Sequence, residues 1–142
     1  METKSSGFSL IELLVVVAIL GIIAAIGTVA YSGYVSSAKK KSAQNIMLQI
    51  SLGQVEYHSD NNEYWGSSGS SGGTCTPEPS TSAEIEKELL GGANSINEDM
   101  GYHMCVVKSS SDYKIIAEEN VAKNKCKMEM PKSTKITRNA NC

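Results

Sequence analysis

The stretch that decides the fold is residues 7–26, GFSLIELLVVVAILGIIAAI. Beyond it the chain carries no charge as far as Ala38, and nearly every position from Leu13 to Ala30 is apolar. A helix rises about 1.5 Å per residue, so the apolar run from Leu13 to Tyr31 matches the hydrocarbon thickness of a bilayer. The sequence therefore predicts one helix that can span a membrane, which excludes an ordinary cytosolic protein.

Composition limits what the rest of the chain can be. The 142 residues suffice for one ordinary domain, and 13 Lys and Arg against 15 Asp and Glu give a net charge of −2. Such a balance excludes a strongly basic nucleic-acid binder and an acidic disordered tail, so any electrostatic function must be local. The polar remainder keeps enough Val, Ile, Leu and Tyr to fold. We expect a membrane-inserted helix followed by a small exported domain.

The residues ahead of the run do not fit a removable secretory signal, because its apolar core would be shorter and its small-residue cleavage site would follow the core. Here the small residues lie before the apolar run, within Lys4-Ser5-Ser6-Gly7. Glu12 stands at the entrance of the run, where a carboxylate is costly unless it is paired or at the surface. Cleavage after Gly7 would make the Phe8 ammonium its counter-ion, from the same chain or from a neighbouring subunit. The alternative is a Glu12 at the headgroup level near a helix N-terminus.

These residues resemble the class III signal of the type IV pilin family, which includes the pseudopilins of type II secretion. The resemblance covers about Lys4 to Tyr34, a quarter of the chain. It implies that a prepilin peptidase cleaves between Gly7 and Phe8 and methylates the new N-terminus, and that Phe8 and Glu12 set subunit register during assembly. This chain has Val29 where most type IV major pilins carry a proline that kinks the helix.

The resemblance also implies a division of the chain into three parts. Residues 1–7 would be the leader peptide, and residues 8–38 the transmembrane and filament-core half of the N-terminal helix. Residues 39–142 would form the pilin globular domain, including the amphipathic half of the helix.

Past Lys39-Lys40-Lys41 the apolar residues follow a helical period. They form two stripes on opposite sides of the helix: Ala43, Ile46, Met47, Ile50 and Tyr57 on one, and Leu48, Leu52 and Val55 on the other. We expect the first stripe to pack on the protein's own sheet and the second to face neighbouring helices in a filament core. The alternative is a helix buried on both sides within one domain. The helix is expected to run without interruption from near Phe8 to about Tyr57.

The remaining residues predict a short helix and a small sheet. Residues 66–73 are all Gly or Ser, which indicates a surface loop. Thr81 to Glu84 has capping-box spacing, so we expect a helix from Ser82 to Leu90, stopped by Gly91-Gly92. Strands are expected at 102–107, at 113–117 and near 125–130, with a turn at 109–112. The predicted fold class is α+β, with a long N-terminal helix, membrane-spanning and then amphipathic, packed on a small antiparallel β-sheet.

All four cysteines lie in the polar part of the chain: Cys75, Cys105, Cys126 and Cys142. Their even number suits an exported, oxidised domain, and three pairings are open. The resemblance implies Cys126 with Cys142, because type IV pilins commonly staple a C-terminal loop to the sheet, and this leaves Cys75 with Cys105. A structural metal is the competing use, but there is no C-x-x-C pair and His103 with Cys105 alone is a weak pattern. No metal or cofactor is expected.

Charge is divided unevenly along the chain. Six basic residues against Glu129 give the segment 121–142 a balance of +5: Lys123, Lys125, Lys127, Lys132, Lys135 and Arg138. Residues 56–119 carry twelve acids against three lysines, a balance of −9. Some pilins bind DNA, and a basic stripe repeated along a filament would bind with avidity and steep salt dependence. The simpler interpretation is a basic loop that is solvated or that meets the acidic surface of the next subunit.

Catalysis finds little support. The glutamates at 84, 86 and 88 alternate within the predicted helix and do not share a face, and no nucleophile elbow or phosphate-binding glycine motif is present. His58 and His103 lack evident triad partners. The protein is therefore not predicted to be an enzyme.

The sequence indicates a type IV pilin, a single-pass protein of the bacterial inner membrane that becomes part of an extracellular pilus. Its expected partners are other pilin subunits, the prepilin peptidase, the pilus assembly machinery and, in one hypothesis, DNA. Three alternatives stay open. They are a minor pilin that binds DNA through the basic C-terminal loop, a type II secretion pseudopilin, and a membrane-anchored binding domain that retains residues 1–7.

Overall fold

The computed structural model describes residues 7–70, 73–121 and 123–142, so residues 1–6 of the predicted leader lie outside the described residues. The chain divides after Ala38 into two compact units, and the second comprises Lys39–Cys142. The regular elements are α1 (Leu10–Asn61), α2 (Pro79–Leu89), a 3₁₀ turn (Glu98–Met100), β1 (Tyr102–Lys108), β2 (Tyr113–Glu119), β3 (Lys127–Pro131) and β4 (Thr137–Arg138). This is the predicted α+β class.

The helix α1 is continuous through Val29, the position at which most type IV major pilins have a kinking proline. Ser32 Oγ donates to the Val29 carbonyl at 2.9 Å, a local bond that leaves the helix intact. The helix ends four residues later than expected. Asn62 stops it by adopting a left-handed backbone, φ 57°, while its amide donates to the His58 carbonyl at 2.9 Å.

The four strands form one antiparallel sheet in the order β1-β2-β3-β4. In the register Met104 lies opposite Ala117, which lies opposite Met128, so these side chains share the face that packs into the core. The three predicted strands are confirmed within one to two residues at most ends. The two-residue strand β4 was not predicted, because it is too short to show an alternating pattern and depends on pairing with β3.

The core of the second unit lies between one side of α1 and this face of the sheet. Ala43, Met47 and Ile50 are completely buried, and Ile46 is 8% exposed. Their neighbours in the core include Met104, Val106, Ile115, Ala117, Met128 and Met130. The first predicted stripe is thereby confirmed as the stripe that packs on the protein's own sheet.

The predicted start of α2 is wrong by three residues. Proline is favoured in the first helical position because its fixed φ suits a helix, so α2 begins at Pro79 with Glu78 as its N-cap. The capping box joins Glu78 to Thr81, whose Oγ1 accepts from the Glu78 amide at 2.9 Å, instead of joining Thr81 to Glu84. The predicted stop is confirmed, since Gly91 and Gly92 both have positive φ.

Hydroxyl groups cover the free edge of β1. Thr81 Oγ1 donates to the Met104 carbonyl at 2.8 Å, and Ser82 Oγ accepts from the Met104 amide at 3.0 Å. Ser67 does the same at Val106, where its amide donates to the carbonyl and its Oγ accepts from the amide, both at 2.9 Å. The Gly/Ser segment is therefore only partly a surface loop, because Ser67 is 3% exposed. These bonds satisfy an edge that would otherwise be free to pair with another chain.

Candidate assembly surfaces

The predicted processing site lies ahead of α1. Gly7 and Phe8 have no regular structure, and Phe8 is 82% exposed. A Cβ added at Gly7 would meet nothing within 4 Å. The fold of this chain therefore does not require glycine there, and the peptide bond between the two residues is accessible.

Ser9 and Glu12 form a reciprocal capping box at the start of α1. The Ser9 amide donates to Glu12 Oε2 at 2.9 Å and the Ser9 hydroxyl donates to the same oxygen at 2.7 Å. Ser9 Oγ in turn accepts from the Glu12 amide at 3.3 Å. This box was not predicted, although Ser-x-x-Glu ahead of an apolar run is its usual signature. Pairing of Glu12 with a Phe8 ammonium stays a prediction that follows from cleavage.

The first unit presents an uncovered apolar surface. Its exposed large side chains are Phe8, Leu10, Ile11, Leu13, Leu14, Val15, Val16, Val17, Ile19, Leu20, Ile22, Ile23, Ile26, Val29, Tyr31 and Tyr34. By length and composition α1 is the one helix among the described residues that could cross a membrane. A contiguous apolar surface of this size marks contact with lipid or with other protein chains.

The second predicted stripe of α1 is exposed. Leu48 is 44% exposed, Leu52 72% and Val55 58%, whereas Tyr57 packs against the core. The alternative of a helix buried on both sides within one domain is therefore wrong. The sheet covers only one side of α1, which leaves this stripe for another partner.

The structure pairs Cys75 with Cys105 and Cys126 with Cys142, the connectivity that the resemblance implied. Cys105 packs with Val107 and Ile116 in a small apolar cluster, which Cys75 joins. No group of three or more His, Cys, Asp or Glu among the described residues could hold a metal ion. Lys40 Nζ donates to the carbonyl of Cys142, so α1 and the C-terminal segment are in contact.

The six basic residues of the C-terminal segment do not form one continuous patch. The strand register places Arg138 opposite Met128, on the core side of the sheet, and Lys127 on the other side. Lys125 pairs with Glu118 at 2.9 Å. Lys132 lies over the Tyr64 ring, 4.9 Å from its centroid. No ion pair between described residues involves Lys123, Lys135 or Arg138.

Glu129 neutralises part of this charge. Lys127 and Lys114 approach its carboxylate at 3.2 and 3.3 Å. Partial burial by itself would raise the pKa of Glu129, but the hydrogen bonds from Lys127 and Lys114 outweigh burial and hold that pKa below its usual value. The carboxylate therefore stays ionised and keeps both lysines engaged.

The glutamates of α2 have structural partners. Glu84 accepts from the Ser68 amide at 2.8 Å, Glu86 accepts from the Ile96 amide at 2.6 Å, and Glu88 pairs with Lys87 at 3.3 Å. The Ser68 bonds lower the pKa of Glu84. Of the two histidines, His58 packs on the Tyr64 ring with 4.4 Å between centroids. Glu84 and Glu86 thereby hold the segments at Ser68 and Ile96 against α2, whereas the Glu88 pair is an exposed contact within the helix.

Comparison with known proteins relates the chain to type IV pilins. A family model described as the prokaryotic N-terminal methylation motif matches residues 3–28. The type IV major pilin protein PilE1 of Neisseria gonorrhoeae is 32% identical over 89 residues, which cover 63% of this chain and 53% of that protein. The fimbrial protein of Neisseria meningitidis serogroup B is 35% identical over 90 residues, covering 63% and 49%. Over these residues the chain is similar to type IV pilins.

The chain combines the methylation motif with a long apolar helix, a small antiparallel sheet and two disulfide bonds. It spans about half the length of the curated relatives that it matches. No solved structure matches it.

Proposed function

We propose that this protein is a structural subunit of a type IV pilus. Before assembly, α1 would hold it in the bacterial inner membrane as a single-pass protein, and after assembly it would be part of an extracellular filament. The observation that carries this proposal is the uncovered apolar surface of α1 directly behind a methylation motif and Glu12.

Assembly exchanges one apolar environment for another. In the membrane, side chains such as Leu13 and Val16 would contact lipid tails, and in the filament they would contact the helices of neighbouring subunits. Because both environments are apolar, the transfer needs little free energy, and van der Waals packing favours the helix bundle. The exposed stripe of Leu48, Leu52 and Val55 would extend this contact beyond the membrane-spanning half of the helix.

Glu12 would set the register of that packing. A carboxylate is costly in an apolar core unless it is paired, and the Phe8 ammonium created by cleavage is the matching charge. Only axial offsets that bring the ammonium of one subunit beside Glu12 of the same or an adjacent subunit avoid this cost. The prepilin peptidase would generate the ammonium and methylate it, and the pilus assembly machinery would insert the subunit.

Adhesion, motility and DNA uptake are the filament activities that this role could serve. A minor pilin that binds DNA is the second candidate. Lys123, Lys135 and Arg138 have no ion-pair partner among the described residues and would be its contacts, whereas Lys125 and Lys127 are paired with glutamates. Retardation of DNA by sheared filaments that weakens steeply with salt, and that is lost when these three residues become Gln, would support it.

A type II secretion pseudopilin is a weaker alternative, because the two disulfides and the lack of an acidic calcium-ligand cluster in the described C-terminal residues argue against it. A membrane-anchored binding domain would retain residues 1–7. Both alternatives predict that the chain is absent from sheared surface filaments.

Glu12→Gln tests the assembly mechanism. A capping box accepts Gln in place of Glu, so this variant removes the charge while keeping the start of the helix. We expect it to accumulate in the membrane fraction, cleaved after Gly7, with the yield of sheared filaments reduced about tenfold or more, since an unpaired ammonium is costly. Glu88→Gln, which loses only an exposed ion pair, is the matched control and should leave the yield unchanged. Equal filament yields from both variants would contradict the mechanism.

A further inference from the structure

Two segments lie beside the first residues of the second unit. A Cβ added at Gly101 would lie 3.4 Å from Lys39 Cδ and Nζ and 3.7 Å from Asn120 Oδ1. The Asn120 amide donates to the Gly101 carbonyl at 3.0 Å. Lys39 is therefore next to the start of the loop that joins β2 to β3.

The C-terminal segment lies at the same place. Lys40 Nζ donates to the Cys142 carbonyl, and Cys142 is joined to Cys126 at the end of the β2–β3 loop. Asn139 Nδ2 donates to the Lys125 carbonyl of that loop at 2.9 Å. We call this assembly the basal end, defined as the described residues of segments 39–41, 120–126 and 139–142.

The basal end carries uncompensated positive charge. Lys41 and Lys123 are exposed and Lys39 and Lys40 are half-buried. No ion pair in the part of the chain that the structure describes includes any of these four. Val121, an apolar side chain that is 48% exposed, lies in the same loop.

The acidic groups near the basal end are otherwise occupied or face elsewhere. Glu118 pairs with Lys125 at 2.9 Å, and Glu119 accepts from the Cys126 amide at 3.3 Å. Glu98 and Asp99 precede Gly101 and line a separate concavity with His103. No Asp or Glu side chain among the described residues forms an ion pair with these four lysines, although Lys40 donates to the Cys142 carbonyl.

Chain length places these lysines at a membrane surface. A helix over residues 8–38 is about 45 Å long at about 1.5 Å per residue, about the thickness of a bilayer with its headgroups. Lys39, Lys40 and Lys41 follow immediately. They would reach the layer of lipid phosphates as α1 leaves the bilayer.

We propose that the basal end is a lipid-binding surface that docks on the anionic headgroups of the membrane before the subunit is assembled. The proposal rests on the membrane-inserted stage of the proposed function. A lysine near an anionic surface contributes about 1 kcal/mol, and salt screens the attraction. Val121 adds an apolar contact at the headgroup boundary. Docking would orient the second unit on the bilayer and would have to be released when the subunit enters a filament.

The test uses the full chain in vesicles of phosphatidylcholine, with or without phosphatidylglycerol. Reductive methylation with formaldehyde and the reductant dimethylamine–borane, both neutral reagents, is followed at each lysine by peptide mass spectrometry. Because about 1 kcal/mol corresponds to about fivefold, Lys41 and Lys123 should be methylated about fivefold more slowly in the phosphatidylglycerol vesicles, and high salt should restore the rate. Lys87, whose side chain is 82% exposed, is the internal control and should react equally in both.

Lys41→Gln should weaken the protection of Lys123 by the anionic lipid, whereas Lys87→Gln should not. The proposal is overturned if Lys41 and Lys123 react alike in both kinds of vesicle, or if Lys87 slows as much as they do. Slow methylation of both lysines in pure phosphatidylcholine, at the rate seen with phosphatidylglycerol, would also overturn the proposal. It would mean that a second protein copy, and not the anionic lipid, covers the surface. None of these readouts depends on filaments, so failure here is distinguishable from failure of the Glu12→Gln experiment.

Discussion

Ser9 holds the carboxylate of Glu12 through two donors, its amide at 2.9 Å and its hydroxyl at 2.7 Å, both directed at the same oxygen. The acid at the entrance of the apolar run is thus satisfied by its own chain in the uncleaved protein. The predicted cleavage after Gly7 would remove neither partner and would add an ammonium on Phe8, the residue before Ser9. The box fixes the position of the carboxylate at the first turn of α1, where the predicted ammonium would meet it.

Ser9→Ala removes the N-cap side chain and should loosen the first turn of α1. Loss of an N-cap hydroxyl costs about 1 kcal/mol, or about fivefold in an opening equilibrium. Hydrogen exchange of the full chain in micelles should therefore show about fivefold faster exchange for the amides of residues 13–16. Ser36→Ala, in the helix interior, should leave these amides unchanged, and equal rates in all three proteins would show that the box does not stabilise the helix.

Leu52→Glu tests the role of the exposed stripe. Leu52 is 72% exposed, so the subunit should fold and insert normally. A charge buried without a partner in a filament would cost several kcal/mol, and the yield of sheared filaments should fall about tenfold or more. Lys87→Glu is the control on a surface outside α1. Normal filament yield from the Leu52 variant would mean that the stripe faces solvent in the assembled pilus.

Gly53→Ala should destabilise the second unit although alanine is the better helix former. A Cβ at position 53 would lie 2.5 Å from the Leu89 carbonyl oxygen, and overpacking of this kind costs about 1–3 kcal/mol. Urea unfolding of the full chain in micelles, followed by the fluorescence of Trp65, measures the change. Gly33→Ala is the control, because a Cβ added there meets nothing within 4 Å. It should leave the urea midpoint unchanged or raise it. A stabilised Gly53 variant would show that α2 does not approach α1 so closely.

The contact at Gly53 could not be predicted from the sequence, although the buried side of α1 could. The periodicity of residues 43–57 predicted the buried side of α1, because every fourth or third apolar side chain meets the same sheet. The need for glycine at position 53 comes from the end of α2, more than thirty residues away, and no local pattern reports that approach. The prediction for the start of α2 was wrong for a different reason. Two capping boxes were possible, one from Glu78 to Thr81 and one from Thr81 to Glu84, and Pro79 favours the first because it suits the first helical position.

Some features of the candidate surfaces could be predicted from the sequence and others could not. The apolar run, Glu12 and the cysteines were identified from residue types and spacing alone. The distribution of the basic residues in space could not be predicted, because consecutive strand residues point to opposite sides of a sheet and Glu118 and Glu129 neutralise two of the lysines. The basal end could not be predicted, since it gathers three segments that are distant in the sequence.

Two tyrosines should respond in opposite directions to loss of their hydroxyls. Tyr102 is 1% exposed and its hydroxyl has no partner among the described residues. Burial, with a smaller contribution from the Glu119 charge, raises its pKa to about 12. Tyr102→Phe should therefore raise the free energy of unfolding by up to about 1 kcal/mol.

Tyr113→Phe should lower the free energy of unfolding by about 1–3 kcal/mol, because it leaves the buried Ser51 hydroxyl without the partner that now lies at 2.7 Å. Urea unfolding of both variants gives the comparison. Destabilisation of equal size in the two would contradict this account of the core.

The most direct test of the central claim is the intact mass and N-terminal sequence of this protein in filaments sheared from cells, with and without reduction. We expect a chain that begins at Phe8, carries one added methyl group and gains the mass of four hydrogens when both disulfides are reduced. A chain that still contains residues 1–7 and is found only in the membrane fraction would contradict the pilin function and leave a membrane-anchored domain.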